Sequence, residues 1–208
     1  MKFLAFSDFH GLFGYKNYFV DVKQKIKKYS PDFVILCGDF RNKISINRLE
    51  MRVKHLELPV YYVWGNDDEF NIDFKMQFGK NCHLEIFNLN DENFWITGIG
   101  GDEYDMVWNI SKFKKILQKN ISSLKNFILI SHVPPYSICD KTVDGKHAGV
   151  KEYLDLILEF RPKLVLFGHI HENWYKTAKL KNIIFQNVGP KGVYFQYDNA
   201  EFTIINLS

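Results

Sequence analysis

Asp8 with His10, Asp39, Asn66, His132, and the close pair His169 and His171 are metal-binding residue types, and each group follows directly on a short apolar run. Imidazole nitrogen combined with carboxylate and amide oxygen favours Mn, Fe, Zn, Ni or Co over calcium, which prefers oxygen alone. These donors are enough for two divalent ions. Two ions about 3.5–4 Å apart clamp the attacking and leaving oxygens of a phosphoryl displacement and acidify a water between them. The donors are mostly neutral, and that matters electrostatically. Two divalent ions, the carboxylates of Asp8 and Asp39, and one hydroxide leave the centre at about +1, which attracts a phosphate ester. The chemistry to expect is hydrolysis of a phosphate ester by hydroxide bridging two ions.

The apolar runs that carry the donors read as buried strands: 3–6, 33–37, 60–64, 127–130 and 164–167. Ligands of open α/β sheets bind beyond the carboxyl ends of the strands. Parallel alignment therefore brings Asp8-Phe9-His10, Gly38-Asp39, Gly65-Asn66-Asp67-Asp68, Ser131-His132 and Gly168-His169-Ile170-His171 to one rim. Any one of these at a strand end has an ordinary structural explanation; five at successive strand ends do not. Helical spacing appears at Phe19, Val22, Ile26 and Tyr29, ended by Ser30-Pro31, and more weakly over 47–56. It returns from about Ser111, through Phe113, Ile116, Leu117, Ile121 and Leu124. The clearest helix buries Val150, Tyr153, Leu154, Ile157 and Leu158, with Pro162 beyond its end. A hairpin pairs 83–87 with 94–99 through the polar turn 88–93, and the tail from Ile183 supplies two or three antiparallel strands. The loop Gly100 to Trp108 either covers the site or is a solvated connection packed by Trp108. The pattern is α/β with mixed sheets, and so many strands call for a second sheet.

A chain of 208 residues suits one domain spanning 1–208. No apolar stretch approaches the roughly 20 residues that cross a bilayer, and Asp8 comes too early for a secretory signal. Cys37, Cys82 and Cys139 form no Cys-x-x-Cys pair and no disulfide framework, so a reduced, cytoplasmic setting is expected. A formal charge of only +3 argues against a nucleic-acid partner. The oligomeric state is left open.

From Asp8 to about Gly189, in order, these motifs resemble the calcineurin-like metallophosphoesterase superfamily. The resemblance implies a four-layer α/β/β/α sandwich with two mixed β-sheets. It implies that Asp8, His10 and His171 hold one metal, that Asn66, His132 and His169 hold the other, and that Asp39 bridges them. His132-Val133-Pro134-Pro135-Tyr136, with Asp140 and His147-Ala148-Gly149, resembles a small single-domain branch containing phosphodiesterases of broad specificity. Asn187-Val188-Gly189-Pro190 matches only part of the family's Asn-Pro-Gly-Ser turn. The substrate implied is a small phosphate ester, a diester first of all and a nucleotide among the candidates, and the two divalent ions implied are manganese as the first choice, with Fe, Zn, Ni or Co as alternatives. Rival readings are a non-catalytic interaction module on the same fold, as in the retromer subunit, and a DNA nuclease, whose extra capping segments 208 residues hardly accommodate.

One position departs from the family. Its Gly-Asn-His-Asp or Gly-Asn-His-Glu is here Gly65-Asn66-Asp67-Asp68, so the histidine that contacts phosphate and protonates the leaving group is Asp67. Beside two cations a carboxyl stays ionised and is a poor proton donor. The leaving group then needs little protonation or takes its proton elsewhere, His147 being the candidate; alternatively Asp67 is an outer-sphere residue or an extra ligand. Arg41 could reach the substrate phosphate or form a surface ion pair. Tyr136 and Trp174 either stack on a base or aryl group or pack locally, and His55 and His83 read as surface or packing residues.

Overall fold

Five continuous apolar runs are what strands buried on both faces look like, and burial on both faces requires layers on either side. The computed structural model describes residues 1–10, 18–40, 54, 57–68, 79–89, 94–122 and 124–207. The first sheet contains β1 (Lys2–Phe6), β2 (Phe33–Cys37), β3 (Val60–Val63) and β4 (Lys80–Asn81). The second contains β5 (Ile86–Asn88), β6 (Phe94–Ile99), β7 (Asn126–Ser131), β8 (Leu164–Phe167), β9 (Thr177–Leu180) and β10 (Ile183–Asn187). The chain then returns to the first sheet with β11 (Val193–Asp198) and β12 (Glu201–Asn206). The strand orders are β12-β11-β1-β2-β3-β4 and β5-β6-β7-β8-β10-β9. In the first, β1, β2, β3 and β4 run parallel, with β11 and β12 antiparallel at one side. In the second, β6, β7, β8 and β10 run parallel, flanked by antiparallel β5 and β9.

Strand alternation sorts the side chains into layers. Phe3, Ala5, Phe33, Ile35, Tyr61 and Val63 face inward onto Ile96, Ile128, Ile130, Leu164 and Leu166, forming the core between the sheets. Leu4, Phe6, Val34, Leu36, Val60 and Tyr62 face the other way and pack with Val22 of α1 (Tyr18–Tyr29). On the far side, Phe127, Leu129, Val165, Phe167 and Phe185 pack under α2 (Glu103–Lys119) and α3 (Lys151–Phe160). The result is the four-layer α/β/β/α arrangement with two mixed sheets. Among the described residues, no helix is long and apolar enough to cross a membrane.

Several local expectations shift. The tail is not uniformly antiparallel, since β10 pairs parallel with β8 and only β11 and β12 form the antiparallel continuation. The hairpin is shorter, with Ile86–Asn88 against Phe94–Ile99 and His83 joined by a single bridge to Gly98. Helix α3 buries Tyr153, Leu156, Ile157 and Phe160, leaving Leu154 and Leu158 half-buried. The largest correction concerns α2, which starts at Glu103 rather than near Ser111, so most of the expected loop is helix. Trp108 packs nothing down: it is 86% exposed, as Tyr104 is at 85%. Ile121, expected on the buried face, lies beyond the helix and is exposed. The weaker helix over 47–56, apart from residue 54, the tip of the polar turn, Arg41 and His55 lie outside the described residues.

Candidate metal centre

The donors' strands are divided between the sheets, three in the first and two in the second, and the carboxyl edges of the two sheets meet. The seam is stitched by backbone, where Ser7 N–H donates to Gly189 O at 3.1 Å; within the second sheet, Gly168 N–H donates to His132 O at 3.0 Å and holds the two histidine turns together. His132 Nδ1 crosses the seam to Cys37 O at 2.8 Å. Close approach needs glycine at the turns. A Cβ on Gly65 would sit 2.8 Å from Asp39 N and from the His132 ring, and one on Gly168 would sit 2.6 Å from Asp8 Oδ2. The donors themselves sit on unusual backbone: Asp8, His10, Asp39 and His169 have φ of 57°, 45°, 60° and 68°. Residues other than glycine rarely adopt this region, at about 1–3 kcal/mol each, and they cluster where side chains must be aimed.

All seven expected donors converge. His10 Nε2 faces His171 Nε2 at 2.9 Å, and Asp8 Oδ1 lies 3.8 Å from His171 Nε2. His132 Nε2 faces Asn66 Oδ1 at 2.9 Å and His169 Nδ1 at 3.2 Å. Asp39 stands between the groups, with Oδ2 3.3 Å from His132 Nε2 and 3.8 Å from His10 Nε2. Asp8, His10 and His171 offer donor atoms within 4.8 Å of one another, as do Asp8, Asp39 and His132.

Tautomers show why this set suits cations. Cys37 O can only accept, so His132 carries its proton on Nδ1 and its Nε2 presents a lone pair. His169 Nε2 lies 2.9 Å from Glu103 Oε1, a carboxylate that also only accepts, so its Nδ1 presents a lone pair too. Two imidazole lone pairs, the Asn66 carbonyl oxygen and the Asp39 carboxylate thus converge on one point, which a proton or a metal ion must occupy. Burial alone would lower the His132 pKa, but the Asp39 carboxylate outweighs it and the pKa is pushed up to about 10. Burial alone would likewise raise Asp39, yet His132 holds its carboxyl well below the usual range. At His171, burial and His10 opposite lower the pKa against the pull of Asp8, which favours the neutral ring that binds metal.

Several residues support the donors in ways the sequence did not reveal. Buried Asp68 accepts from Asp39 N and Gly65 N at 2.8 Å and from Phe40 N at 2.5 Å, locking the β2 and β3 exits together. Asp8 Oδ2 accepts from Ser7 Oγ at 2.5 Å and Trp174 Nε1 at 3.0 Å. Trp174 also packs on the His171 ring, so its indole supports the donor set. Buried Asn187 donates to Gly168 O and Ile170 O at 3.1 Å each, which holds the Gly-His-x-His turn despite the partial match of its own motif.

The remaining candidates divide. Asp67 Oδ2 lies 3.1 Å from His10 Nδ1, and its backbone N–H donates to Asp39 Oδ1 at 2.9 Å. His147 Nδ1 lies 2.7 Å from the buried Asp140 carboxylate, and Tyr136 packs on the His147 ring. This segment is tied to the turn bearing His171, because Asn173 Nδ2 donates to Lys141 O at 2.7 Å. His83 packs on Trp64 and accepts from Gly100 N; burial first, and Lys112 second, lowers its pKa to about 4.

Known proteins share sequence or fold with this chain. An uncharacterized protein of Methanocaldococcus jannaschii is 29% identical over 220 residues, covering 99% of this chain and 95% of its own. A 3',5'-cyclic-nucleotide phosphodiesterase of Nostoc is 22% identical over 198 residues, covering 89% of this chain and 73% of its own. A dimetal phosphatase from Danio rerio shares the fold, with a TM-score of 0.67 at 11% identity over 100% of this chain and 99% of the other. The profile of the calcineurin-like phosphoesterases matches residues 1–173, and the chain belongs to that family.

Proposed function

We propose that this protein is a dinuclear metal-dependent phosphodiesterase. One ion is held by Asp8, His10 and His171, the other by Asn66, His132 and His169, and Asp39 is shared. The observation that carries the reading is the convergence of donor atoms on both sides of Asp39, with the tautomers of His132 and His169 fixed on one side and that of His10 on the other. When bound, two divalent ions supply a nucleophile from water near neutral pH and offset the charge that grows on the phosphoryl oxygens. Asp39 keeps the two halves in register. His147, with Nδ1 engaged by Asp140, offers Nε2 as the proton donor to the leaving group, and Asp140 is fixed by Ser137 N and Gly149 N. Ionised Asp67 adds negative charge at the mouth. That charge repels a dianionic monoester more than a monoanionic diester, which favours the diester. The name of the Nostoc relative points to nucleotide diesters as the first substrates to try.

The test is an assay of protein stripped with EDTA and reloaded with manganese, cobalt, nickel or zinc. A bis-aryl phosphate, cyclic nucleotides and an aryl monoester serve as substrates. Stripping abolishes hydrolysis and manganese restores it, diesters turning over faster than the monoester. Full metal occupancy with no ester hydrolysed would favour a non-catalytic interaction module, and salt-dependent DNA binding would favour a nuclease.

Metal uptake also displaces a proton. Because the His132 pKa in the metal-free fold is raised to about 10, its proton is present below that pH and must leave when a metal binds Nε2. Metal binding at about pH 8 therefore releases close to one proton from this residue, and affinity rises by up to about tenfold per pH unit until the pKa is passed. Calorimetry in two buffers of different ionisation enthalpy measures the release; buffer-independent heats would contradict it.

A further inference from the structure

The residue that fixes the His169 tautomer comes from a helix with no part in the sequence motifs. Glu103 is the first residue of α2, and its position is set by three neighbouring contacts. Gly101 N–H donates to Trp64 O at 2.9 Å, which anchors the segment beside the exit of β3. Asp102 caps the helix, its Oδ1 accepting from Asp105 N at 2.8 Å while Asp105 answers to the Asp102 backbone, a reciprocal capping box. The turn enters through Gly101 at φ 106°, where any Cβ would strike the Asp105 side chain. With the first turn pinned in this way, Glu103 Oε1 reaches His169 Nε2 at 2.9 Å, across 66 positions of sequence.

We propose that Glu103 is a positioning residue for the metal centre. It holds the His169 ring with its proton on Nε2, so that Nδ1 is presented to the ion shared with Asn66 and His132. This rests on the ligand assignment above. A carboxylate on the far nitrogen of a ligating histidine fixes ring orientation and raises ligand basicity, and losing such a partner costs about 10–100-fold in metal affinity. Two of the other three histidines have partners of their own on the far nitrogen, the Cys37 carbonyl for His132 and the Asp67 carboxylate for His10, and none of the three is held by Glu103 in the contacts described. Removing Glu103 therefore weakens one of the two ions and spares the other. It also explains an otherwise wasteful feature. A carboxylate at the mouth of a site for anionic esters opposes substrate binding, and its position is accounted for by what it does to His169.

The experiment measures metal affinity by chelator competition on purified full-length protein, comparing the parent with Glu103→Ala and Glu103→Gln. Glu103→Ala weakens one of two manganese sites by about 10–100-fold and leaves the other at the parental value. Glu103→Gln, which keeps an accepting oxygen but loses the charge, falls between the two. Long-range proton–nitrogen spectra of the imidazoles show His169 as the Nε2–H tautomer in the metal-free parent and as a tautomer mixture in Glu103→Ala. Melting temperatures of the metal-free proteins separate this from a weakened helix start, since a purely structural role shifts melting but not the affinity of one site alone. Parental affinity at both sites in Glu103→Ala, or equal weakening of both, overturns the proposal. Because affinity and tautomer are read without any substrate, a protein that binds two ions but hydrolyses nothing would sink the phosphodiesterase reading and leave this one standing.

Discussion

Asp39→Asn removes more activity than any other donor substitution, at least about a thousandfold in kcat/KM, or about 4 kcal/mol of transition-state stabilisation. The physical reason is its place between the two groups. Asp39 Oδ2 is 3.3 Å from His132 Nε2 and 3.8 Å from His10 Nε2, so on the proposed assignment one carboxylate would serve both ions. Asparagine keeps the shape and, like aspartate, tolerates the left-handed backbone at φ 60°, so the fold survives. What the substitution removes is the negative charge that would lie between the two proposed ions, and an amide NH2 replaces one of two equivalent oxygens. If the amide NH2 turns toward the centre, it presents a donor where a metal requires a lone pair; if it turns away, it loses the bond from Asp67 N–H at 2.9 Å. Asp8→Asn disturbs one ion only and costs less. Metal content by mass spectrometry, beside turnover of an activated diester, separates lost metal from lost chemistry. Retention of most turnover by Asp39→Asn would contradict a shared carboxylate.

The rim was readable in the sequence because strands buried on both faces leave unbroken apolar runs, and all seven donors stand just past such runs. The division of those runs between two sheets was not readable, since an apolar run carries no mark of its neighbour. The start of α2 was hidden for a different reason. Its first two turns bury Met106 but expose Tyr104, Val107 and Trp108, so helical periodicity emerges only once Phe113 and Leu117 reach the core. The capping box there has Asp105 rather than glutamate or glutamine at its third position, which weakens the usual signature of a helix start. With the helix misplaced, Glu103 could not be connected to His169. The support that Asp68 and Trp174 give the donors was not legible, Trp174 reading only as a stacking or packing residue, because both act on donors through hydrogen bonds rather than by a residue type expected at a metal. Asp68 could have been found: a second carboxylate next to Asn66, at a turn full of unpaired backbone N–H groups, has an obvious use there.

The replacement of the family's histidine by Asp67 has a measurable consequence for leaving groups. Asp67 lies 3.1 Å from His10 Nδ1, and its side chain lacks the imidazole N–H that the family's histidine brings to this position. On the proposed reading, protonation of a basic leaving group would then fall to His147, held by Asp140 at 2.7 Å. On a series of aryl and alkyl diesters of rising leaving-group pKa, His147→Ala steepens the fall in rate. It costs about 100-fold on alkyl esters, within the usual range for a general acid, and little on nitrophenyl esters, which leave without a proton. Adding Asp67→His to that variant puts an imidazole back where the family has one, and the dependence flattens again. Nitrophenyl esters serve as the internal control: any loss on them measures the removal of the Asp67 contact to His10 and not proton transfer. A parental slope in His147→Ala would dismiss His147 as the donor. A double variant as steep as His147→Ala would show that position 67 does not face the leaving group, leaving Asp67 only its contact with His10.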